Sequence, residues 1–153
     1  MKLYRLSREK YTRDLTGTGA MLNGGRWNSR NKYALYTAEN ISLAKLEVAV
    51  HLDFDLIPED YYLIEIEMPD DATLQIIDSA QLLANWDSIP HSESTQRIGD
   101  EFLDSQEFLA LKVPSAIVKQ EFNYILNPIH TSYSKVKVTA IESFQFDHRL
   151  FKR

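Results

Sequence analysis

The chain has 153 residues, 44% of them hydrophobic, with a formal net charge of −5 and no cysteine. This size and apolar content predict one domain spanning 1–153, and the lack of cysteine excludes disulfides, thiolate metal sites and cysteine nucleophiles. Acidic and basic residues are interspersed along the chain, and the net charge is negative. This disfavours attraction to phosphate backbones, so a nuclease or DNA-binding module is not expected.

The sequence contains neither an export signal nor an apolar segment long enough to span a membrane. The N-terminus, MKLYRLSREKYTRD, carries charges throughout and lacks the apolar core of a signal peptide. No apolar run approaches the length of a membrane span. We therefore expect a cytoplasmic protein.

Strand and helix signals follow one another irregularly, which favours a single mixed α+β domain over a doubly wound sheet. The predicted strands are 2–6, 33–38, 61–68, 74–78, two short strands bent around Pro114 within 108–118, and 136–146. The predicted helices are 42–53 and 93–106. In the strand 61–68, alternation places Tyr62, Ile64, Ile66 and Met68 on one face.

The first predicted helix contains a carboxylate at the edge of its apolar stripe. Asn40 or Ser42 can cap the helix, and Leu43 and Val50 repeat with Leu46 at helical spacing. Glu47 lies within about 40° of Leu43 on the helical wheel. Two interpretations are open: Glu47 reaches water or an arginine at the border, or it faces a cleft and binds a sugar hydroxyl.

The stretch Gly24-Gly25-Arg26-Trp27 also has two interpretations. It is either a glycine turn with a surface arginine and a core tryptophan, or a backbone that a ligand approaches closely beside a guanidinium suited to carboxylate or pyrophosphate.

Other candidate motifs are weaker. Glu65 and Glu67 share one face of a strand, which alternation explains, although paired glutamates also occur in arginine-modifying ADP-ribosyltransferases. His51 follows Glu47 by one turn, but the remaining histidines are scattered and no metal site is predicted. Neither G-x-S-x-G nor a P-loop occurs.

The combination of GGRWN, ALYTA and SLAKLE, followed by VPSAIV, NYILNP and FQFDHRL, resembles the RES domain family, toxins of bacterial toxin–antitoxin pairs. The resemblance extends from YRL at 4–6 to FDHRL at 146–150. It implies a fold similar to ADP-ribosyltransferases, with a central split β-sheet and flanking helices. It also implies an activity that destroys NAD until a Xre-type antitoxin covers the site. The segment 29–32 departs from the family's usual Pro/Gly-containing turn, which puts substrate preference at that rim in doubt.

The resemblance places functional residues at Arg5, Arg26, Tyr36, Glu47, Ser115 and Asn127. It implies that Arg5 and Arg26 clamp a phosphate, that Tyr36 stacks on or hydrogen-bonds the nicotinamide ribose, and that Asn127 contributes to binding. Glu47 would bind the ribose hydroxyls and face the oxocarbenium ion, and Ser115 would orient substrate or nucleophile.

The sequence does not select the nucleophile, which is water or inorganic phosphate as co-substrate. Two other functions remain open. One is an ADP-ribosyltransferase that modifies a protein or nucleic acid, with Glu65 and Glu67 holding the acceptor. The other is a non-catalytic protein that binds an antitoxin.

Overall fold

The computed structural model describes residues 1–52 and 58–151. In this part of the chain the strands are β1 Lys2–Arg8, β2 Leu35–Ala38, β3 Tyr61–Glu67, β4 Leu74–Ile76, β5 Ala110–Pro114, β6 Phe122–Leu126 and β7 Lys137–Phe144. The α-helices are α1 Thr18–Asn23, α2 Ile41–Ala49 and α3 Glu93–Ser105. Short 3-10 turns occupy Glu9–Tyr11, Ser79–Gln81, Tyr133–Lys135 and His148–Phe151.

All of these strands join one sheet in the order β4-β5-β6-β2-β1-β3-β7. The β4–β5 pair is parallel and the other pairs are antiparallel. β1 and β3 are in register over seven residue pairs, whereas β1 and β2 meet at the single pair Tyr4 and Ala38. A four-stranded half and a three-stranded half therefore meet at a short junction. The predicted α+β fold with a split central sheet is confirmed.

The strand β3 shows why the sheet has a core on each face. Ile64 and Ile66 are fully buried, and Met68 follows them on the same face at 2% exposure, as the alternation predicts. Leu63, on the opposite face, packs in a second cluster with Leu6. The predicted strands at 2–6, 33–38, 61–68 and 136–146 are confirmed within a few residues at their ends, and the strand at 74–78 stops at Ile76.

Helix α2 packs across the junction between the two halves. Its N-cap is Asn40, whose Oδ1 accepts a hydrogen bond from the Leu43 amide at 2.8 Å. Leu43 and Ala44 are buried, but Leu46 and Val50 are 37% and 55% exposed, so the predicted apolar repeat is wrong for these two positions. The helix ends at Ala49 rather than Asp53, and Asp53 lies outside the described residues.

Helix α3 confirms the prediction for 93–106 and covers the four-stranded half. Its buried residues, Thr95, Gly99, Phe102 and Leu103, form one helical stripe. Residue 99 is glycine for a steric reason, since a Cβ there would lie 1.8 Å from the Trp27 carbonyl oxygen. This contact brings the GGRWN segment directly against the helix.

Three elements differ from the prediction. The strand expected after Pro114 is absent, because the Ser115 hydroxyl accepts hydrogen bonds from the Ile117 and Val118 amides and forms a turn instead. β6 was not assigned, although its second residue begins the NYILNP motif. The short helix α1 was also missed because six residues bounded by glycines carry little helical signal. No described helix is long and apolar enough to cross a membrane.

Candidate active site

A cleft of about 350 Å³ opens over the junction of the two sheet halves. Its walls come from β1, β2, β6, α2, the first turn of α1 and the segment that leads into α1. The lining residues are Tyr4, Arg5, Leu6, Asp14, Gly17, Thr18, Gly19, Ala20, Ala34, Leu35, Tyr36, Thr37, Ala38, Ala44, Glu47, Val48, His51 and Asn123. The cleft has the size of a small-molecule site and a mainly apolar lining with a few convergent polar groups.

Glu47 lies in this wall, half-buried, and its carboxylate is held through one oxygen. Oε1 accepts a hydrogen bond from the Ser115 hydroxyl at 2.9 Å and from the Asn123 amide at 2.5 Å. Within the described residues Oε2 has no hydrogen-bond partner and Glu47 has no ion pair. Of the two interpretations of Glu47, the structure supports the one in which it faces a cleft.

Ser115 is fully buried and does not line the cleft. Its oxygen accepts from the Ile117 and Val118 amides at 3.0 and 3.1 Å, so its only proton is directed to Glu47. The geometry therefore associates Ser115 with holding the carboxylate, whereas contact with a substrate was predicted.

Arg5 is the arginine that faces the cleft. From β1 its Nη1 donates to the Asp14 carbonyl oxygen at 2.9 Å, and burial lowers its pKa. The Asp14 carboxylate instead accepts hydrogen bonds from the Thr16 amide and hydroxyl. Within the described residues no salt bridge pairs Arg5, so a half-buried cation is available to an anionic ligand.

Arg26 lies beside the cleft and is not part of its lining. Its Nη1 donates to the carbonyl oxygens of Trp86 at 2.6 Å and Ser88 at 3.1 Å, which joins the GGRWN turn to the loop before α3. Burial lowers the pKa of Arg26, and the charges of Asp87 and Glu47 partly oppose this. The arginine is thus within electrostatic range of Glu47 while being held by backbone oxygens.

The two glycines of GGRWN serve packing within the protein. Gly24 has φ 71°, a conformation that favours glycine, and a Cβ on Gly25 would lie 2.6 Å from the Tyr36 hydroxyl. Trp27 is 2% exposed, as expected for a core residue. The close approach that Gly25 permits is therefore to Tyr36, whereas Gly24 provides the turn.

Tyr36 lines the cleft, and its hydroxyl is already bonded. The hydroxyl accepts from the Trp27 amide at 2.9 Å and donates to Asn28 Oδ1 at 2.7 Å. Burial raises the pKa of Tyr36 well above its ordinary value, so the phenol stays protonated. Of the two predicted roles, stacking is compatible with these bonds, whereas a hydrogen bond to ribose would have to replace one of them.

Asn127 is not brought together with the other predicted site residues. It is fully buried outside the cleft lining, where its Nδ2 donates to the Leu103 carbonyl and its Oδ1 accepts from the Ile129 amide. These bonds join the loop after β6 to helix α3, and substrate binding by Asn127 therefore has no geometric support.

Asn123 is the site residue that sequence analysis missed. It lies on β6 beside Ala38 of β2, between Phe122 and Tyr124, which point to the other face of the sheet. Alternation along NYIL separates Asn123 from Tyr124 and marks it as a polar residue on the α2 face. That signal is readable in the sequence, but the contact with Glu47 spans 76 residues.

The other motifs lie apart from the cleft or show no convergence. Glu65 bonds Lys2 at 2.9 Å and the Thr139 hydroxyl at 2.8 Å, and neither Glu65 nor Glu67 lines the cleft. His51 does line it. Among the described residues no three His, Cys, Asp or Glu side chains form a group that could hold a metal ion.

Comparison with known proteins decides the family. The family model "RES domain" matches residues 2–147. The chain belongs to the RES domain family. The resemblance inferred from GGRWN, SLAKLE and the later motifs is thereby confirmed.

Curated relatives cover nearly the whole chain. It is 40% identical to "Toxin Res" of Photorhabdus laumondii, over 99% of this chain and 98% of the relative. A "Toxin Res" of Yersinia enterocolitica is 37% identical over 98% and 99% of the two chains. The "Prs ADP-ribosylating toxin" of a Sphingobium species is 34% identical over 92% and 88%.

A solved structure shares the fold. The chain superimposes with a TM-score of 0.74 and 19% identity on a chain in the crystal structure of the M. tuberculosis MbcT–MbcA toxin–antitoxin complex. The match covers 98% of this chain and 86% of that chain. At this identity the likeness concerns the fold alone.

Proposed function

We propose that this protein is the toxin of a bacterial toxin–antitoxin pair and that it depletes NAD by cleaving the bond between nicotinamide and ribose. The observation that carries the proposal is the Glu47 carboxylate, held through one oxygen in the wall of a cleft that also contains Arg5, a cation without a salt bridge among the described residues. Near-complete coverage of relatives called "Toxin Res" supports the toxin role.

The chemistry of NAD fits these groups. The nicotinamide ring is cationic and leaves with the electrons of its bond to C1′, so little general-acid help is needed. Positive charge then develops at the ribose, and the carboxylate of Glu47 stabilises that charge while binding the ribose hydroxyls. A guanidinium suits the pyrophosphate of a dinucleotide because its planar fork matches two phosphate oxygens.

We assign the individual roles from the position of each residue. Arg5 holds a phosphate from inside the cleft, and Arg26 assists from the rim with the guanidinium nitrogens that do not bond Trp86 and Ser88. The Tyr36 ring stacks on the substrate. The oxygen of water or inorganic phosphate forms the new bond to C1′. Hydrolysis gives ADP-ribose, and phosphorolysis gives ADP-ribose with a phosphate on the same carbon.

The test is nicotinamide release from NAD by purified, antitoxin-free protein, followed by chromatography with and without inorganic phosphate. We expect the wild type to release nicotinamide, Glu47→Gln to abolish the release and Glu65→Gln to leave it intact. Dependence on phosphate distinguishes phosphorolysis from hydrolysis. No release from folded protein would contradict NAD cleavage.

A second candidate is transfer of ADP-ribose to a macromolecule, which the relative named "Prs ADP-ribosylating toxin" favours. Both reactions break the same bond and differ in the acceptor that attacks C1′. Mass spectrometry of cell extract incubated with protein and NAD distinguishes them, because only transfer adds ADP-ribose to a protein or nucleic acid.

The proposed partner is a Xre-type antitoxin that covers the cleft. The structural neighbour comes from a toxin–antitoxin complex, which supports a protein partner. Co-expression with a candidate antitoxin should restore growth, and a binary complex should elute as one peak in size-exclusion chromatography. Growth arrest that persists with a well-expressed candidate would exclude that candidate.

A further inference from the structure

The wall behind Glu47 contains two neutral donors that converge on one oxygen atom. Ser115 reaches Oε1 from the turn after β5, and Asn123 reaches it from β6. A carboxylate bonded by one donor can still rotate about its last side-chain torsion, which is broad for glutamate. Donors from two separate elements fix the plane of the group as well as one of its oxygens.

Ser115 and Asn123 differ in the other hydrogen bonds that they make, and this difference indicates the role of Asn123. Ser115 also accepts hydrogen bonds from two backbone amides, so its position is determined by the turn that it forms. Asn123 is half-buried in the cleft wall, and its side-chain amide makes no hydrogen bond to any other described residue. Its contact with Glu47 is therefore not needed to hold a turn or a strand end.

Neutral donors also preserve the charge of the carboxylate. A lysine or arginine at position 123 would neutralise Glu47, whereas an amide orients the group and leaves a full negative charge on it. With Oε1 occupied, Oε2 is the oxygen that remains for the ribose.

We propose that Asn123 is a positioning residue for Glu47: it anchors Oε1 so that Oε2 meets the ribose hydroxyl and the charge developing at C1′. The role rests on the proposed cleavage of NAD. A substitution that removes the donor should therefore slow turnover more than it weakens substrate binding, since positioning acts mainly in the transition state.

The experiment compares Asn123→Leu, which has a similar shape but no donor, with Asn123→Asp, which places an acceptor beside Glu47. The matched control is Thr139→Val, which removes a donor from Glu65 on the other half of the sheet. Steady-state nicotinamide release should show kcat lower by about ten- to a hundredfold in Asn123→Leu with KM within threefold. Asn123→Asp should lose more, and Thr139→Val should match the wild type.

Two further measurements keep the result interpretable. Thermal unfolding confirms that each variant is folded. The side-chain amide resonance of Asn123, read by NMR in the wild type and in Glu47→Ala, reports the contact without substrate and should shift. An Asn123→Leu protein with kcat within twofold of the wild type, or with raised KM and unchanged kcat, would overturn the positioning role. An unshifted amide resonance would overturn it as well.

Growth arrest in cells without antitoxin separates this proposal from the proposed reaction. If the wild type arrests growth but releases no nicotinamide, NAD cleavage fails, and the positioning role is then judged by whether Asn123→Leu loses growth arrest at equal protein level. Retained arrest by Asn123→Leu would refute the role for whatever reaction Glu47 performs.

Discussion

Two glutamates in this protein receive the same number of donors in different surroundings. Glu47 is bonded by the Ser115 hydroxyl and the Asn123 amide, and Glu65 by the Thr139 hydroxyl and the Lys2 ammonium. Both first donors are side-chain hydroxyls at comparable distances, 2.9 and 2.8 Å. The second donor is neutral in one pair and cationic in the other.

That single difference changes what each carboxylate can do. The Lys2 ammonium is 61% exposed and cancels the charge of Glu65 at the protein surface, where such pairs contribute little. Glu47 lies in a cleft with a mainly apolar lining and has no cationic hydrogen-bond partner among the described residues. In the proposed reaction, its electrostatic interaction with a developing cation is therefore stronger than it would be in water. Under the proposed function, the partner of a carboxylate, more than the number of its hydrogen bonds, distinguishes Glu47 from Glu65.

The sharpest test of the comparison exchanges each glutamate for glutamine. Glu47→Gln should lower kcat by about 10²- to 10³-fold while NAD affinity changes little, because the amide oxygen still accepts from both neighbours but lacks the charge. Glu65→Gln should leave both kcat and the affinity for NAD unchanged. Steady-state nicotinamide release and calorimetric NAD binding provide the two constants.

Equal losses of affinity and turnover in Glu47→Gln would instead assign Glu47 to ground-state binding. A large loss in Glu65→Gln would contradict the comparison and favour a macromolecular acceptor site at Glu65 and Glu67.

The two hydroxyls provide the second test. Ser115→Ala should lower the free energy of unfolding by about 1–3 kcal/mol, because the Ile117 and Val118 amides lose their acceptor in a buried turn. Turnover should fall as well, since Glu47 loses a donor. Thr139→Val should change neither, as its hydroxyl lies at the surface. Urea unfolding and nicotinamide release measure the two effects, and an equally stable Ser115→Ala would show that water replaces the hydroxyl.

The sequence predicted most of the fold where one local pattern was sufficient. β3 alternates without interruption, and α3 follows the break at Ile89-Pro90, so both were predicted nearly to their ends. Local signals failed after Pro114, where apolar residues suggest a strand but the Ser115 side chain competes for the backbone amides.

The site was predictable in part, for the same physical reason. Glu47 stood out because a carboxylate at the edge of an apolar stripe requires a partner. Its partners did not, because Asn123 and Ser115 meet it only through the register of β5, β6 and β2. The resemblance to a family indicated Ser115, and it also indicated Asn127, which instead joins the loop after β6 to helix α3.

The third test compares two cations, Arg5 in the cleft that contains Glu47 and Lys2 beside Glu65. Arg5→Lys should raise KM for NAD about tenfold, because a point charge cannot reproduce the two parallel hydrogen bonds of a guanidinium to a phosphate. Lys2→Arg should leave the kinetics unchanged, since an exposed partner of Glu65 needs only its charge. Competition by pyrophosphate measures the same contact without chemistry. An Arg5→Lys protein that binds NAD and pyrophosphate like the wild type would show that Arg5 does not hold a phosphate.

The smallest effect expected is the pH dependence of stability at Glu65. Hydrogen bonds from Lys2 and Thr139 hold the pKa of Glu65 below its ordinary value of 4.5. A carboxylate with a lowered pKa in the folded state contributes stability above the unfolded-state value, and the contribution is lost as the pH falls through the folded-state value. The urea midpoints of wild type and Glu65→Gln should therefore differ slightly at pH 7 and converge as the pH is lowered below 4.5. A difference that grows in acid would mean that Glu65 is destabilised by its neighbours, and its pairing with Lys2 would then no longer explain why its charge is unavailable for chemistry.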